Sequence, residues 1–403
     1  MDEPSLATEP ITLSVVIPAL NEEVAISGIL QRVLALRAPL AQAGIGGPEV
    51  IVVDDGSRDR TGEIVKEFTD VSMIRHGENR GYGAALKTGL ARARGELIGF
   101  VDADGTYPPE LFPRLCAVAL DGADVVIGSR MTGTPTQMPL TRRIGNRFFA
   151  HLVTLLGSHA VRDCASGMRV IRRSALSRLY PLPDGLNFTP IMSLRALHEG
   201  LRLVEVPIPY DRRLGRSKLN VVRDGWRYVQ SILWTTLGYN PVRVFGAAGL
   251  GGVVVAVLVG LGVVAARLQG VTHLGPWGVA AIFAALVCGV SGVSLFGLGV
   301  IFNYLVSLFH KERLRWGVFG RPLLSRPLER HFGWAGFTFG GGGALLATVA
   351  LSLGIRGWDV TRLWLYLVGS ALLMLVGLQL VISWVVVRKL DELAERDART
   401  GDK

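Results

Sequence analysis

Cysteine is scarce in this chain of 403 residues. The three that occur, Cys116, Cys164 and Cys288, are scattered; they make no metal-ligand spacing and no disulfide framework. Charge is thin as well: Asp, Glu, Lys and Arg make up 19% of the residues, against about 25% in an ordinary globular domain. The deficit is uneven. Asp54, Asp55, Asp102 and Asp104 lie in the first half, whereas from Val242 onward long Gly, Ala, Leu and Val runs are broken only by short charged segments. No acid or histidine lies deep in those runs, which argues against an ion- or proton-driven pump. No Lys/Arg stripe is interleaved with aromatics, so the net charge of +10 reads as cytoplasmic anchoring of a membrane protein and not as nucleic-acid binding. The opening residues, MDEPSLATEP, have neither the basic nor the apolar stretch of a signal peptide, so the first half is expected to stay in the cytoplasm.

What the first half does have is a series of short apolar runs that end in polar residues. In Glu96-Leu97-Ile98-Gly99-Phe100-Val101-Asp102-Ala103-Asp104-Gly105 a buried-type strand runs into a loop that presents two acids. Such a pair suits a hard, oxygen-seeking cation, Mg²⁺ or Mn²⁺, with substrate phosphates as its remaining ligands; taken alone, a bare Asp-x-Asp is more often a solvated turn. Residues 13–17 form a strand ended by Pro18, after which Asn21-Glu22-Glu23 open a helix. Residues 50–53 form a second, ending at Asp54-Asp55-Gly56-Ser57, and Asp59 and Thr61 start the next helix. A third spans 71–74, a glycine-rich entry at 79–84 leads to a helix around 85–94, and another strand lies at 125–127. Strands alternating with helices at this spacing imply an α/β domain with a mainly parallel sheet. Ligands of such sheets bind beyond the carboxyl ends of the strands. Three of those ends are polar, and the loop at Gly81 and Gly83 would let backbone come close to a phosphate.

In this order Ile17-Pro18-Ala19-Leu20-Asn21-Glu22-Glu23, Val53-Asp54-Asp55-Gly56-Ser57, Asn79-x-Gly81-x-Gly83-x-Ala85 and Asp102-Ala103-Asp104 resemble the family-two glycosyltransferases, with their Rossmann-like type-A fold. The likeness continues through Gly128-Ser129-Arg130, Asp163-x-x-Ser166-Gly167-Met168-Arg169, Glu205-Val206-Pro207-Ile208 and Arg213-Leu214-Gly215-Arg216-Ser217-Lys218-Leu219. That longer series, over roughly residues 12 to 246, is similar to the polyprenyl-phosphate sugar synthases, of which dolichyl-phosphate mannose synthase is one. The resemblance implies that Pro18, Asn21, Glu22, Asp54 and Asp55 hold the nucleotide base and ribose, with Gly81, Gly83 and Ala103 also on the nucleotide. Asp102 and Asp104 would bind the metal that bridges the diphosphate. Many relatives continue Asp-Ala-Asp-Leu-Gln-His-Pro-Pro; here Gly105-Thr106-Tyr107 precede Pro108-Pro109, which leaves a third protein ligand open.

Sugar transfer needs a neutralised leaving group and a positioned acceptor. Residues 186–192, where relatives acting on hydroxyls place a catalytic carboxylate, contain no acid. A phosphate monoester has a second pKa near about 6 and needs no base at neutral pH. Arg130, Arg142, Arg143, Arg213, Ser217 and Lys218 are the candidates to receive such an acceptor phosphate, with Asp104, Arg130, Arg213 and Lys218 as the catalytic set. The expected activity is inverting, metal-dependent transfer of a hexose from a nucleotide-sugar of the GDP-mannose or UDP-glucose type to a polyprenyl phosphate. The alternatives are transfer to a membrane-lipid hydroxyl, or a lipid-sugar translocator or scaffold with a degenerate enzyme domain. A processive polysaccharide synthase is disfavoured by the missing Gln-x-x-Arg-Trp signature. The partners implied are the donor, the lipid acceptor and the bilayer, with no nucleic acid and with a homo-oligomer left open.

Two stretches have the helical spacing and basic flanks of in-plane interfacial helices: Leu219, Val222, Trp226, Val229 and Leu233, and Ile144, Phe148, Leu152 and Leu155 beside Arg142, Arg143 and Arg147. Apolar runs at about 243–266, 278–308, 333–354 and 363–387 are long enough to span a bilayer. The division expected is a cytoplasmic catalytic domain over 1–218, an interfacial helix at 219–241, and a membrane hairpin at 242–309. A basic cytoplasmic loop at 310–330, a second hairpin at 331–388 and a cytoplasmic tail at 389–403 complete it. Basic residues in the loop and at Arg388-Lys389 put both termini inside. Arg243-Val244-Phe245-Gly246-Ala247-Ala248-Gly249 also resembles Arg330-His331-Phe332-Gly333-Trp334-Ala335-Gly336, which suggests a duplicated hairpin.

Overall fold

The computed structural model describes residues 11–133, 136–157, 159–214, 221–271, 275–310 and 331–401. Ser217, Lys218, Leu219 and the basic loop over 311–330 therefore lie outside the described residues. The described chain falls into two units that divide after Thr235, so the stretch expected as a separate interfacial segment belongs for the most part to the first.

The first unit runs β1 (Thr12–Ala19), α1 (Ile26–Leu34), α2 (Arg37–Gln42), β2 (Gly46–Asp54), α3 (Thr61–Lys66), β3 (Val71–Arg75) and α4 (Tyr82–Arg92). It continues with β4 (Leu97–Val101), α5 (Phe112–Leu120), β5 (Val125–Ser129), α6 (Leu140–Leu156), β6 (Met168–Arg172), α7 (Arg173–Leu179), α8 (Phe188–His198), β7 (Leu203–Pro207) and α9 (Val221–Tyr239). The seven strands make one sheet in the order β3-β2-β1-β4-β6-β5-β7. β1 and β4 are almost wholly buried, as strands covered on both faces must be, and their sequences are correspondingly continuous apolar runs. Leu13, Val15 and Ile17 share one core with α1 and α5; α1 contributes Ile26, Ile29, Leu30 and Val33, the spacing of a single helical stripe. On the other face α4 comes so close to β1 that a side chain at Gly89 would strike Val16.

The sheet is mainly parallel, with one exception that matters. β6 is antiparallel to both β4 and β5. Met168 pairs with Val101, so β6 begins where β4 ends and the loop before β6 is delivered to Asp102. β7 returns parallel to β5 and ends at Pro207. The strand order turns between β1 and β4, the place where a doubly wound sheet opens a crevice. The helix expected from Asn21 begins at Ile26 instead: Asn21 sits at φ 48° and residues 21–25 form a turn whose Glu22 carbonyl accepts from Ala25 and Ile26.

The second unit contains α10 (Ala247–Leu268), α11 (Pro276–His310), α12 (Phe332–Ile355) and α13 (Val360–Gly401). Among the described residues four helices are long and apolar enough to cross a membrane, and at most 22% of each apolar window is buried, so most of that apolar surface faces outward. α13 continues well past the expected end of its span, carrying Lys389–Glu392–Arg396 ion pairs on its surface. The two hairpins share one seam. A Cβ at Gly249 would lie 2.5 Å from the Gly292 carbonyl and 2.7 Å from Phe296 N. A Cβ at Gly336 would lie 2.9 Å from the Gly377 carbonyl and 3.0 Å from Val381 N. Gly292 meets Gly249 O and Val253 N, just as Gly377 meets Gly336 O and Gly340 N. The register is the same in both, and it supports the repeat seen around Arg243 and Arg330.

Candidate active site

The carboxyl ends of β1, β2 and β4 meet, as adjacent strands at the turning point of the order must. Asn21 N–H donates to Ser57 Oγ at 2.9 Å, Glu22 N–H to Thr61 Oγ1 at 2.8 Å, and Arg58 N–H to Asn21 Oδ1 at 2.7 Å. Arg213 then reaches across to the β4 end, with Nη2 2.5 Å from Glu22 Oε1 and Nη1 3.2 Å from Asp104 Oδ2. Its strap is pinned there by Asp211 N–H to Thr106 O at 3.0 Å and Leu214 N–H to Asp104 O at 3.1 Å.

The two carboxylates of β4 are held differently. Asp104 is buried; its Oδ1 accepts from Thr106 N–H at 3.1 Å and Thr106 Oγ1 at 2.5 Å. Asp102 is half-buried and accepts from Tyr82 Oη at 2.7 Å on Oδ1. Burial, with the Asp104 charge adding to it, pushes the Asp102 carboxyl up to about 7, while the Tyr82 hydrogen bond and the charges of Arg130 and Arg213 pull the other way. Tyr82 itself is pushed well up by burial and by Asp102. Gly167 supports Asp102 from the β6 side, with no room for a side chain between them. Each aspartate thus keeps one oxygen, Oδ2, off the neighbouring Tyr and Thr donors. Two hard carboxylate oxygens fit Mg²⁺ or Mn²⁺ with diphosphate oxygens completing the shell. Among the described residues no cluster of three or more His, Cys, Asp or Glu side chains is placed to hold a metal, so within them no third His, Cys, Asp or Glu joins the pair.

Several expected nucleotide contacts have other partners. Asp54 is fully buried: Ser57 N–H donates to its Oδ1 at 2.8 Å and Arg75 Nε stands 3.2 Å from its Oδ2. Asp55 is buried too and ties down the glycine loop, accepting from Arg80 and Gly81 N–H at 2.9 Å each, with His76 Nδ1 at 2.7 Å. Both acids turn inward because the loops around them have unpaired N–H groups to satisfy. Gly81, at φ 107°, and Gly83 lie against the Pro183–Asp184 loop: a Cβ at Gly81 would lie 2.5 Å from Asp184 O, and Gly83 and Ala84 N–H donate to that same carbonyl. Ala103 points into the core, leaving only its backbone to the cleft. Pro18 lies inside β1, which runs one residue further and at that end pairs with β2 alone.

Arg130 is also turned inward. Its Nε and Nη2 grip Asp163 at 2.8 and 2.7 Å, and Nη1 donates to Tyr107 Oη at 2.8 Å. Burial alone would lower the Arg130 pKa, but the Asp163 charge and hydrogen bond, with Tyr107 and Tyr210, together more than offset it; Asp163 is in turn held below the usual carboxylate range against its own burial. The guanidinium lies over the rings of Tyr107 and Tyr210, 5.6 and 5.2 Å from their centroids. Tyr107 Oη also accepts from Gly167 N–H at 2.7 Å. In this structure Arg130 is thus paired with Asp163 and braces the Tyr107–Gly167 support of Asp102. Arg142 reaches Tyr210 Oη at 3.4 Å, whereas Arg143 lies on the exposed side of α6. That separates two arginines which sequence alone left equivalent.

Beside this crevice a cavity of about 430 Å³ is lined by Gly56, Ser57, Arg58, Arg75, His76, Gly77, Glu78 and Asn79. Tyr82, Thr106, Tyr107 and Arg75 were missed in the sequence, although Tyr82 lies inside the glycine motif and Thr106-Tyr107 inside the departure from the family pattern.

Residues 14–180 match the family model described as Glycosyl transferase family 2, and residues 241–401 match one described as Domain of unknown function (DUF8752). The low-salt glycan biosynthesis hexosyltransferase Agl6 of Haloferax volcanii is 37% identical over 61% of this chain, and the match spans 58% of that relative's length, under two thirds. Dolichyl-phosphate hexose transferase of the same organism is 34% identical over 55% of this chain and 92% of its own. Undecaprenyl-phosphate 4-deoxy-4-formamido-L-arabinose transferase of Pseudomonas aeruginosa is 31% identical over 76% of this chain and 88% of its own. A solved structure of glucosyl-3-phosphoglycerate synthase from Mycobacterium tuberculosis with Mn²⁺, uridine diphosphate and phosphoglyceric acid matches 56% of this chain and 78% of its own, at TM-score 0.46 and 21% identity. With two of these relatives matched over 92% and 88% of their length and a mainly parallel sheet beneath the paired aspartates, the chain belongs to glycosyl transferase family 2 and is a glycosyltransferase.

Proposed function

We propose that this enzyme transfers a hexose from a nucleotide-sugar to the phosphate of a polyprenyl phosphate at the cytoplasmic membrane face, with inversion at the sugar carbon. The observation that carries the reading is Arg213, a cation placed against the β4 carboxylates at the mouth of the crevice. It is supported by two relatives whose names specify dolichyl- and undecaprenyl-phosphate. A bound Mg²⁺ or Mn²⁺ would supply Lewis-acid neutralisation of the departing diphosphate, held by Asp102 and Asp104. The chain's own residues then have separable tasks. Tyr82, Thr106 and Gly167 fix the two carboxylates; the cavity lined by Arg58, Arg75 and Asn79 takes the nucleoside end of the donor. Arg213 and Arg142, with Lys218 and Ser217 of the segment outside the described residues, draw in the acceptor phosphate. That acceptor is already anionic, which accounts for residues 186–192 having no carboxylate to act as base.

The lipid would be held at the bilayer. α6 exposes Leu140, Ile144, Phe148 and Leu155, and α9 exposes Val222, Trp226 and Trp234. The inward side of α9 carries Tyr228 and Ile232, with Tyr228 Oη donating to Leu186 O and its ring tilted against Phe149 at 5.0 Å. Bulky apolar residues that face out, next to Arg143, Arg147, Arg223 and Arg227, match an in-plane membrane contact. The four long helices would then cross the bilayer, with the basic residues after α13's apolar part on the cytoplasmic side.

The test is turnover by the purified full chain on a panel of nucleotide sugars, with radiolabelled polyprenyl phosphate and Mg²⁺ or Mn²⁺. The expected product is a solvent-extractable lipid sugar that mild acid releases. An acid-stable product would mean a hydroxyl acceptor, and no lipid-linked label with any donor would sink the proposal.

A further inference from the structure

The two carboxylate oxygens of Asp104 are used differently. Oδ1 accepts from both Thr106 donors, the N–H at 3.1 Å and the hydroxyl at 2.5 Å, and two donors fill its lone-pair directions. Oδ2 faces Arg213 Nη1 at 3.2 Å. The oxygen of Asp104 open to a divalent cation is therefore the one that an arginine already neutralises. A cation at bonding range, about 2.1 Å for Mg²⁺, and a guanidinium cannot share that oxygen in a half-buried site without strong repulsion.

The other arm of the guanidinium rests on Glu22 at 2.5 Å. Glu22 is fixed from behind, since its N–H donates to Thr61 and its carbonyl accepts from Ala25 and Ile26. Among the described residues the buried Arg213 Nε has no acceptor, so the group retains a donor that an incoming anion would satisfy.

We propose that Arg213 is a place-holding cation and Glu22 its pivot: a metal ion arriving at Asp104 displaces the arginine, which turns on Glu22 to meet the acceptor phosphate. This rests on the reading of the aspartate pair as a cation site and extends it, because donor loading and acceptor capture become one exchange. Glu22 becomes a positioning residue for the acceptor and not a holder of the nucleotide.

The exchange is tested by Mn²⁺ binding to the full chain in nanodiscs without nucleotide, read from the electron paramagnetic resonance signal of free Mn²⁺. Competition is reciprocal, so Arg213→Gln should tighten Mn²⁺ binding by about tenfold, the scale of one charge-assisted contact. Arg213→Lys should tighten it less. Unchanged or weaker binding in Arg213→Gln overturns the exchange. Asp104→Asn is run alongside: if it abolishes Mn²⁺ binding, the Arg213 result bears on the exchange alone. If it leaves binding intact, the cation site fails and the exchange fails with it. Glu22→Gln gives a second readout. KM for polyprenyl phosphate should rise about tenfold while KM for the nucleotide sugar stays within about twofold; a rise confined to the donor KM overturns the pivot.

Discussion

Gly167 stands so close to Asp102 that a Cβ at that position would lie 2.5 Å from the carboxylate carbon. The approach follows from the antiparallel β6, which starts opposite the last residue of β4. Gly167→Ala must push the carboxylate off the position that Tyr82 gives it, and misplacement of about 1 Å at a reacting centre costs on the order of 100-fold in rate. The expected result is a kcat loss of that size with Mn²⁺ affinity also reduced. An active Gly167→Ala enzyme would mean that Asp102 does not need its present place.

Burial raises the Asp102 carboxyl to about 7, against about 3.9 in an unfolded chain. The folded state thus keeps this proton longer than the unfolded one. Its contribution to stability is complete below about pH 4 and is lost as pH climbs through about 7. In chelator, the thermal midpoint of the native enzyme should fall more steeply from pH 5 to pH 8 than that of Asp102→Asn, which has no proton to lose. Equal slopes in the two proteins would remove the raised carboxyl from the account.

Asp163 is fully buried and its carboxylate is gripped at both oxygens by Arg130. Asp163→Ala leaves that guanidinium charged and unpaired in the interior. Breaking such a pair costs about 3–5 kcal/mol, enough to lower the denaturation midpoint sharply or prevent accumulation of folded protein. A midpoint close to that of the native enzyme would show that Arg130 finds another partner.

Phe148 and Trp226 are more than half exposed, so Phe148→Asp with Trp226→Asp removes little packing from the first unit. The double variant should unfold at an unchanged temperature yet show KM for vesicle-borne polyprenyl phosphate raised about tenfold, the loss expected when apolar side chains no longer enter the headgroup boundary. A short-chain, water-soluble acceptor should be used almost as well as before. An equal loss on both acceptors would point away from the membrane.

Much of the fold was legible because parallel strands advertise themselves as unbroken apolar runs, as in residues 50–53 and 97–101. Adjacency of the β1, β2 and β4 ends follows from the same pattern once the strand order turns. The site was harder to read, since residue type fixes what a group can do but not which neighbour claims it. Asp54 and Asp55 look like ligand acids until Arg75, His76 and two backbone N–H groups take them. Gly81 and Gly83 signal close backbone approach, and the approach is real; the visitor is the loop at Pro183 and Asp184. No periodicity marks such partners, because they come from chain segments between about 20 and about 100 residues away.

The matched seams at Gly249 with Gly292 and at Gly336 with Gly377 bear on how the enzyme meets membranes of different thickness. Where two helices touch through backbone, sliding one past the other closes no gap and opens several, so each hairpin behaves as a stiff plate of fixed height. If both hairpins span the bilayer as proposed, having that plate twice over leaves leaning as the inexpensive response to a thicker or thinner membrane.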